Sequence, residues 1–286
     1  MMRRSYKHQL EGVLNAEELP QLQSSLEIVG DIALLKLPQT LVSKAEAIGD
    51  TLLNANKNIK VVLRQASPVS GELRVRTLEW VAGEHRTETT HKENGCTLKV
   101  DLSQAYFSPR LYYERARVAK LVQPEEIIVN MFAGVGSFSV VIAKKAQPAR
   151  VYSIDINPTA VKYLEENASR NRVWGRVTSI LGDARNVLET TLKDVPGDRV
   201  LMPLPTKVYE YLPDAVRCLR ADSGWIHCYD MVHAAKGEDP VAKVVARASG
   251  RLRELGARFH IDGGRIVRSV GPNWYQAALD IEVHRH

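Results

Sequence analysis

Asp155 closes a β-branched run, Val151-Tyr152-Ser153-Ile154-Asp155, that lies about 20 residues beyond a turn of small residues, Ala133-Gly134-Val135-Gly136. A carboxylate at a strand end can accept hydrogen bonds from ribose hydroxyls, and glycines in the preceding turn let the backbone approach a ligand. A second carboxylate turn, Gly182-Asp183-Ala184-Arg185, follows another apolar run. The three together are the layout of a Rossmann-type nucleotide site. The first turn supplies GxG but not GxGxxG, so a pyrophosphate cradle at the helix N-terminus is incomplete. That detail favours S-adenosylmethionine over a dinucleotide.

Such residues need strand ends to hold them, and the chain provides a strand-helix alternation. Val129-Asn130-Met131-Phe132 leads into the glycine turn, and a new apolar segment begins at Phe138. Pro109 to Val122 has amphipathic spacing, Pro158 sits near a helix start, and Val177–Leu181, Arg199–Met202 and Gly224–Cys228 read as later strands. A strand pair near Ile266 to Val283 closes the unit. The alternation predicts an α/β fold, a Rossmann-like doubly wound and mainly parallel sheet over residues 105–286.

Residues 26–104 predict a small α+β domain. A hairpin or bulged strand breaks at Gly30-Asp31, helical spacing runs from Leu41 to Leu53, and strands are expected at Lys60–Arg64 and Leu73–Trp80. Asn94-Gly95 is a hairpin-type turn inside Thr89–Val100. Residues 1–25 are polar and weakly patterned, and read as a loose lead-in.

The 286-residue chain is 44% hydrophobic and 25% charged, which is globular composition. Its formal charge of +6 and isoelectric point near 9.2 suit a polyanionic partner. Cys96, Cys218 and Cys228 show no CxxC spacing and are expected to be packed free thiols in a reducing compartment. Met1-Met2-Arg3-Arg4 is basic, but no apolar leader follows and no run reaches transmembrane length, so a cytoplasmic protein without a membrane partner is expected. The eight histidines form no ligand spacing, His284 and His286 merely ending the chain, and no metal is expected.

Five motifs in order carry a resemblance: Tyr106-Phe107-Ser108-Pro109-Arg110-Leu111-Tyr112-Tyr113-Glu114-Arg115, Met131-Phe132-Ala133-Gly134-Val135-Gly136, Asp155-Ile156-Asn157-Pro158, Gly182-Asp183-Ala184-Arg185, and Asp198-Arg199-Val200-Leu201-Met202-Pro203-Leu204-Pro205. In these the chain resembles the archaeal and eukaryotic tRNA guanine-37 N1-methyltransferase family. Gly30-Asp31-Ile32, Ala66-Ser67-Pro68-Val69 and Thr90-His91-Lys92-Glu93-Asn94-Gly95 extend the likeness upstream. The resemblance implies an S-adenosylmethionine-dependent enzyme that acts beside the anticodon, with residues 26–104 helping to hold tRNA; a monomer is expected. Some members carry a further N-terminal domain of several dozen residues, which is expected to be absent here.

The resemblance also implies roles. Guanine N1 carries a proton at neutral pH, and Glu114 matches the family's proposed general base. The alternative for Glu114 is a surface helix residue paired with Arg110 or Arg117. Arg74, in Leu73-Arg74-Val75-Arg76, matches the region supplying a cation to stabilise charge on O6, with Arg76 left open as its same-face neighbour along a strand. Phe132, Ala133, Gly134, Val135 and Gly136 are expected to hold the methionine portion of the cofactor. Asp155 with Ile156 takes the ribose, Asp183 with Ala184 the adenine, and Arg110 the cofactor carboxylate. Pro203 is counted with the cofactor site. For Asp155 and Asp183 the bland alternative is helix N-capping.

Three residues depart from the family pattern: Asn130 for aspartate, Ser137 for proline and Pro203 for asparagine. Asn130 exchanges a carboxylate for an amide near the methionine end of the cofactor. Pro203 has neither a side-chain donor nor a backbone N–H to offer the base. Within the broader family a proline here suggests the wyosine-pathway branch, whose members methylate carbon 7 of 4-demethylwyosine, sometimes alongside N1 of guanosine. Two alternatives are an aminocarboxypropyl transferase of the wybutosine pathway and a catalytically silent tRNA-binding paralogue. Retention of Ser108-Pro109-Arg110-Leu111 and Leu204-Pro205 argues against the first, and intact Glu114 against the second.

Overall fold

Gly30 turns the chain at a φ of 57°, where an added Cβ would come within 2.3 Å of the Thr89 hydroxyl oxygen, so a side chain is excluded on two counts. Across that turn β1 (Glu27–Val29) and β2 (Ile32–Leu35) pair antiparallel; β3 (Val61–Gln65) adds parallel to β2, and β4 (Leu78–Gly83) antiparallel to β3. Helix α1 (Ala45–Ala55) buries Ile48, Gly49 and Leu52. A hairpin, β5 (Glu88–Glu93) and β6 (Cys96–Asp101), turns through Asn94 at φ 50° and Gly95 at φ 76°, the two positive angles that a tight two-residue hairpin turn demands. This is a computed structural model that describes residues 6–23 and 26–284. It divides into one unit running to Glu93 with Thr97–Pro109, and another of Asn94–Cys96 with Arg110–His286. Met1-Met2-Arg3-Arg4 and His286 lie outside the described residues.

Two expectations for the first unit are corrected. Residues 6–23 are no loose lead-in: Tyr6–Leu10 and Leu19–Gln21 form 3-10 turns, and Leu10, Leu14 and Leu22 lie in one buried cluster with Ile48, Leu52 and Val62. Three leucines spread over short turns leave no periodic signature. Leu73–Trp80 is not one strand either. Residues 71–74 form a turn in which Arg74 adopts φ 56°, and β4 begins only at Leu78. Arg74 and Arg76 therefore do not alternate along a strand.

The second unit is the expected doubly wound sheet, with strand order β12-β13-β11-β10-β7-β8-β9. Its strands are β7 (Ile127–Asn130), β8 (Arg150–Asp155), β9 (Val177–Leu181), β10 (Arg199–Met202), β11 (Gly224–His233), β12 (Arg258–Gly271) and β13 (Trp274–His284). β7 to β11 are parallel, while β13 runs antiparallel between β11 and β12. β7 is almost wholly buried, as a central strand covered on both faces must be, while β8 buries Val151, Ser153 and Ile154 between half-buried residues. The helices are α2 (Tyr112–Leu121), α3 (Ser137–Lys145), α4 (Pro158–Arg170), α5 (Ala184–Glu189), α6 (Val208–Cys218) and α7 (Pro240–Glu254). α4 starts as Pro158 implied, with the Asn157 side chain accepting from the Thr159 and Ala160 amides. The strand order reverses at β7 and β10, which opens a crevice at their carboxyl ends, the usual ligand site of such sheets. All three cysteines are free, and no helix among the described residues is long and apolar enough to cross a membrane.

Leu10→Ala should lower the unfolding free energy by about 2–5 kcal/mol, the usual cost of removing a fully buried leucine. A denaturant midpoint equal to that of the parent protein would mean that the segment is not part of the core.

Candidate active site

The glycine turn is built from backbone. Gly134 and Gly136 take φ values of 55° and 84°, and a Cβ on Gly136 would meet the Leu164 Cγ at 3.0 Å. The Ala133 amide donates to the Ile154 carbonyl at 2.8 Å, the Met131 amide to the Leu201 carbonyl at 3.1 Å, and the fully buried Asn167 side chain to the Val135 carbonyl at 2.9 Å. β8, β10 and α4 thus each hold one part of the loop. Phe132 packs edge-on against Tyr211 of α6, ring centroids 5.2 Å apart.

Asp155 stands at the end of β8 and is bound to that turn: Oδ2 accepts from the Gly134 amide at 2.6 Å and Oδ1 from the Asn157 amide at 2.9 Å. Burial raises its pKa above the ordinary carboxylate value, against these backbone hydrogen bonds. The Ile156 amide reaches the carboxylate as well, and of its roughly four acceptor sites one remains for a ribose hydroxyl. Ile156 beside it is 36% exposed, and Leu181, its counterpart at the end of β9, is 56% exposed. Apolar side chains left open at neighbouring strand ends suit the faces of a nucleoside; the Leu181 position was missed in the sequence because it reads there simply as a strand residue.

Asp183 and Ala184 open α5. Asp183 caps the helix through the Asn186 amide at 3.2 Å, the alternative weighed from sequence, and also accepts the Tyr211 hydroxyl at 2.5 Å. Pro203 follows β10 directly, and β10 pairs with β7, so it stands beside the turn at the point of strand-order reversal. The residues of the glycine turn, Asp155, Ile156, Asp183, Ala184 and Pro203 accordingly share one edge of the sheet. This geometry fits an S-adenosyl group: a backbone turn too close for side chains, a carboxylate at the β8 end and apolar faces around it.

Asn130 sits directly behind the turn. Its side chain is fully buried, donating to the Ser139 hydroxyl at 3.1 Å and accepting from the Phe132 amide at 3.4 Å, while Ser153 donates to Ser139 at 2.8 Å. It braces the turn that leads on from β7. The amide both donates and accepts, which a carboxylate cannot do.

Glu114, 5% exposed on α2, is no surface residue. Arg117 donates to it twice, from Nε at 2.9 Å and Nη2 at 2.7 Å, and the buried Tyr229 hydroxyl donates at 2.8 Å. Arg117 also forks onto Asp280 of β13 at 2.8 and 3.0 Å. Asp280 accepts further from Arg265 at 2.6 Å and from His227, whose other ring nitrogen meets Arg199, itself paired with Glu126. Burial alone would raise the Asp280 carboxyl, but His227, Arg117 and Arg265 outweigh it and hold the pKa well below the carboxylate range. Burial pushes the His227 imidazole down, so it is neutral within this chain of charges. Of these partners only Arg117, three residues after Glu114, was visible in the sequence; Tyr229 and Asp280 meet it through strand pairing.

Arg110 lies exposed on the short turn Pro109–Leu111 before α2. In the first unit Arg76 is paired with Glu27 and Gln65, whereas the Arg74 guanidinium has no hydrogen bond or ion pair among the described residues. Among the described residues, no cluster of His, Cys, Asp or Glu could hold a metal ion.

Residues 89–255 match the TRM5/TYW2 methyltransferase domain and residues 6–87 the TYW2 N-terminal domain. The chain belongs to the TRM5/TYW2 methyltransferase family. It is 41% identical, over 92% of its length and 76% of the relative's, to tRNA (guanine(37)-N(1))-methyltransferase Trm5b of Pyrococcus abyssi (strain GE5 / Orsay). It is 37% identical, over 91% of its length and 94% of the relative's, to tRNA 4-demethylwyosine(37)-methyltransferase Taw21 of Saccharolobus solfataricus (strain ATCC 35092 / DSM 1617 / JCM 11322 / P2). Among solved structures, aTrm5 in complex with tRNALeu superposes with a TM-score of 0.83 at 34% identity, covering 99% of this chain and 79% of that one. Like its family, the chain is an S-adenosylmethionine-dependent methyltransferase of class I fold.

Two measurements test this site. Asp155→Ala should weaken S-adenosylmethionine binding by at least tenfold, since a hydrogen bond to a charged group contributes about 1.5–3 kcal/mol; an unchanged calorimetric Kd would remove Asp155 from the ribose site. Asp280→Asn should cost about 1.5–3 kcal/mol at neutral pH, because the half-buried Arg117 and Arg265 and the buried His227 lose a shared charged acceptor. Because the Asp280 pKa is depressed on folding, its contribution is complete above pH about 4 and is lost as pH falls through the folded-state value, so parent and variant stabilities should converge in acid. A gap independent of pH would show that Asp280 carries no such linkage.

Proposed function

We propose that this enzyme methylates the purine at position 37 of tRNA, with Glu114 as the base for N1 transfer and Pro203 as the residue that shifts the acceptor toward carbon 7 of 4-demethylwyosine. The carrying observation is the buried Glu114 on α2, in a chain that also presents the glycine turn, Asp155 and Pro203 along one sheet edge. Glu114 Oε1 accepts from both Arg117 and Tyr229, whereas Oε2 accepts from Arg117 alone among the described contacts, which leaves a lone pair for a substrate proton.

S-adenosylmethionine supplies an electrophilic methyl on a sulfonium, and leaves as a neutral thioether. For guanosine, Glu114 would take the N1 proton and so free the N1 lone pair for the methyl group that the bound cofactor would supply. Negative charge develops on O6, and Arg74, with no partner of its own among the described residues, is the cation assigned to it. Residues of the glycine turn would hold the methionine portion, Asp155 and Ile156 the ribose, Asp183 and Ala184 the adenine, and Arg110 the carboxylate. The first unit would help to hold the anticodon loop region. The enzyme is assigned to the cytoplasm as a monomer working without a metal.

Pro203 favours the second acceptor. With no side-chain amide and no backbone N–H, it offers the base only a carbonyl. Likeness to Taw21 over 94% of that relative supports this reading. Carbon 7 attacks through the electron-rich ring and loses its proton afterwards, so its demand on Glu114 differs from that of N1.

Glu114→Gln should preserve cofactor affinity and depress N1 transfer by roughly 10²–10⁴-fold. Pro203→Asn should raise the ratio of N1 to carbon-7 product. Both are read by nucleoside mass spectrometry with two tRNAs, one carrying guanosine 37 and one 4-demethylwyosine. N1 transfer undiminished in Glu114→Gln would remove that residue from the mechanism, and an unaltered product ratio in Pro203→Asn would place specificity elsewhere.

A further inference from the structure

β10 ends at Met202, level with Cys228 of β11, but β11 continues through Tyr229 to His233, paired with β13 throughout. At about 3.3 Å per residue, the three strands β11, β13 and β12 stand roughly 16 Å beyond the sheet edge that carries the cofactor residues. Register shifts in β12 at Gly263, Arg268 and Gly271 add twist to this projection.

Pairing puts directly opposed residues on one face. The row Tyr229, Ala278, Arg265 is followed outward by Met231, Gln276, Arg268 and then by His233, Trp274, Gly271. Contacts agree: Arg268 Nε donates to the Gln276 carbonyl oxygen at 2.7 Å, and the His233 and Trp274 rings meet edge-on at 5.4 Å. The inner rows are buried, with Tyr229 at 1%, Ala278 at 0% and Gln276 at 3% exposure, and the face opens to solvent at the aromatic pair. These three rows carry two arginines and no carboxylate; Asp230 lies on the opposite face, bound to Tyr209 and Arg247. Trp274 is 46% exposed and His233 is exposed. Arg265, held at Nη2 by Asp280, has a buried Nη1 with no hydrogen-bond partner among the described residues.

We propose that the exposed outer end of this face is a contact for the single-stranded RNA that flanks the target nucleotide, with Trp274 stacking on an unpaired base and Arg268 facing the phosphate backbone. Exposed aromatics interleaved with cations are the chemistry that single-stranded nucleic acid requires: every base has a π face, and each phosphate carries a charge. This inference rests on tRNA being the substrate.

The test uses the full chain and an unmodified tRNA transcript with guanosine 37. Trp274→Ala should raise the tRNA Kd by about 5- to 100-fold, as loss of one base stack does, with S-adenosylmethionine affinity unchanged and Trp274→Phe close to the parent. Arg268→Gln should lower the slope of log affinity against log salt by about 0.7. An abasic nucleotide next to position 37 should abolish the difference between parent and Trp274→Ala, which a structural effect of the substitution would leave in place. If the parent binds tRNA and Trp274→Ala binds it equally well, the contact is wrong and the assigned function stands. If the parent binds no tRNA, both fall. A loss in Trp274→Ala that the abasic tRNA leaves intact also overturns the contact.

Discussion

Asp280 accepts hydrogen bonds from Arg117, Arg265 and His227 in a setting that water barely reaches, so α2, β12 and β11 are each tied to one carboxylate on β13. Desolvating so many charges is expensive, and the cost is offset only when every charge meets an opposite one in good geometry. Here Glu114, Asp280 and Glu126 balance Arg117, Arg265 and Arg199, with neutral His227 between them. The consequence for chemistry is that Glu114 does not face Arg117 alone. A guanidinium shared with a second carboxylate holds the Glu114 side chain in one rotamer.

The cofactor edge is ordered by a different device. Its turn contains almost no side-chain chemistry of its own; backbone groups are anchored to Ile154, Leu201 and Asn167 on three separate elements. The buried trio of Asn130, Ser139 and Ser153 supports it from within. Asp155 binds the same turn through the Gly134 amide, so the carboxylate assigned to ribose also sets the loop assigned to the methionine portion. Tyr211 extends this economy to the adenine side, reaching Phe132 with its ring and Asp183 with its hydroxyl. A change at one of these residues is therefore felt along the whole edge.

Local physical signals made much of this legible before any coordinates. β-branched runs ending in Asp155 and in Gly182-Asp183, the GxG turn and the Asn94-Gly95 hairpin are short-range patterns whose geometry depends on the residues themselves, and each forms where its residue types require. Arg199–Met202 was expected as a strand and is one. Failures came where the signal was weak or shared. Leu10, Leu14 and Leu22 are too sparsely spaced to mark a period, yet tertiary packing recruits all three. Leu73–Trp80 has strand-like composition, but Arg74 adopts a left-handed turn that propensity does not anticipate.

By itself, then, the sequence determined the doubly wound architecture, the class of cofactor and the identity of the carboxylates at the strand ends, because turn chemistry and periodicity act over a few residues. Only the tertiary structure decided what surrounds them. That Glu114 is buried and shares Arg117 with Asp280, 163 residues further along, follows from the register of β11 with β13. That Asn130 turns inward, and that Arg76 is consumed by Glu27 while Arg74 is not, depends likewise on which elements pack together. Long-range pairing is set by the balance of burial and charge over the whole sheet, and no window of sequence contains that balance.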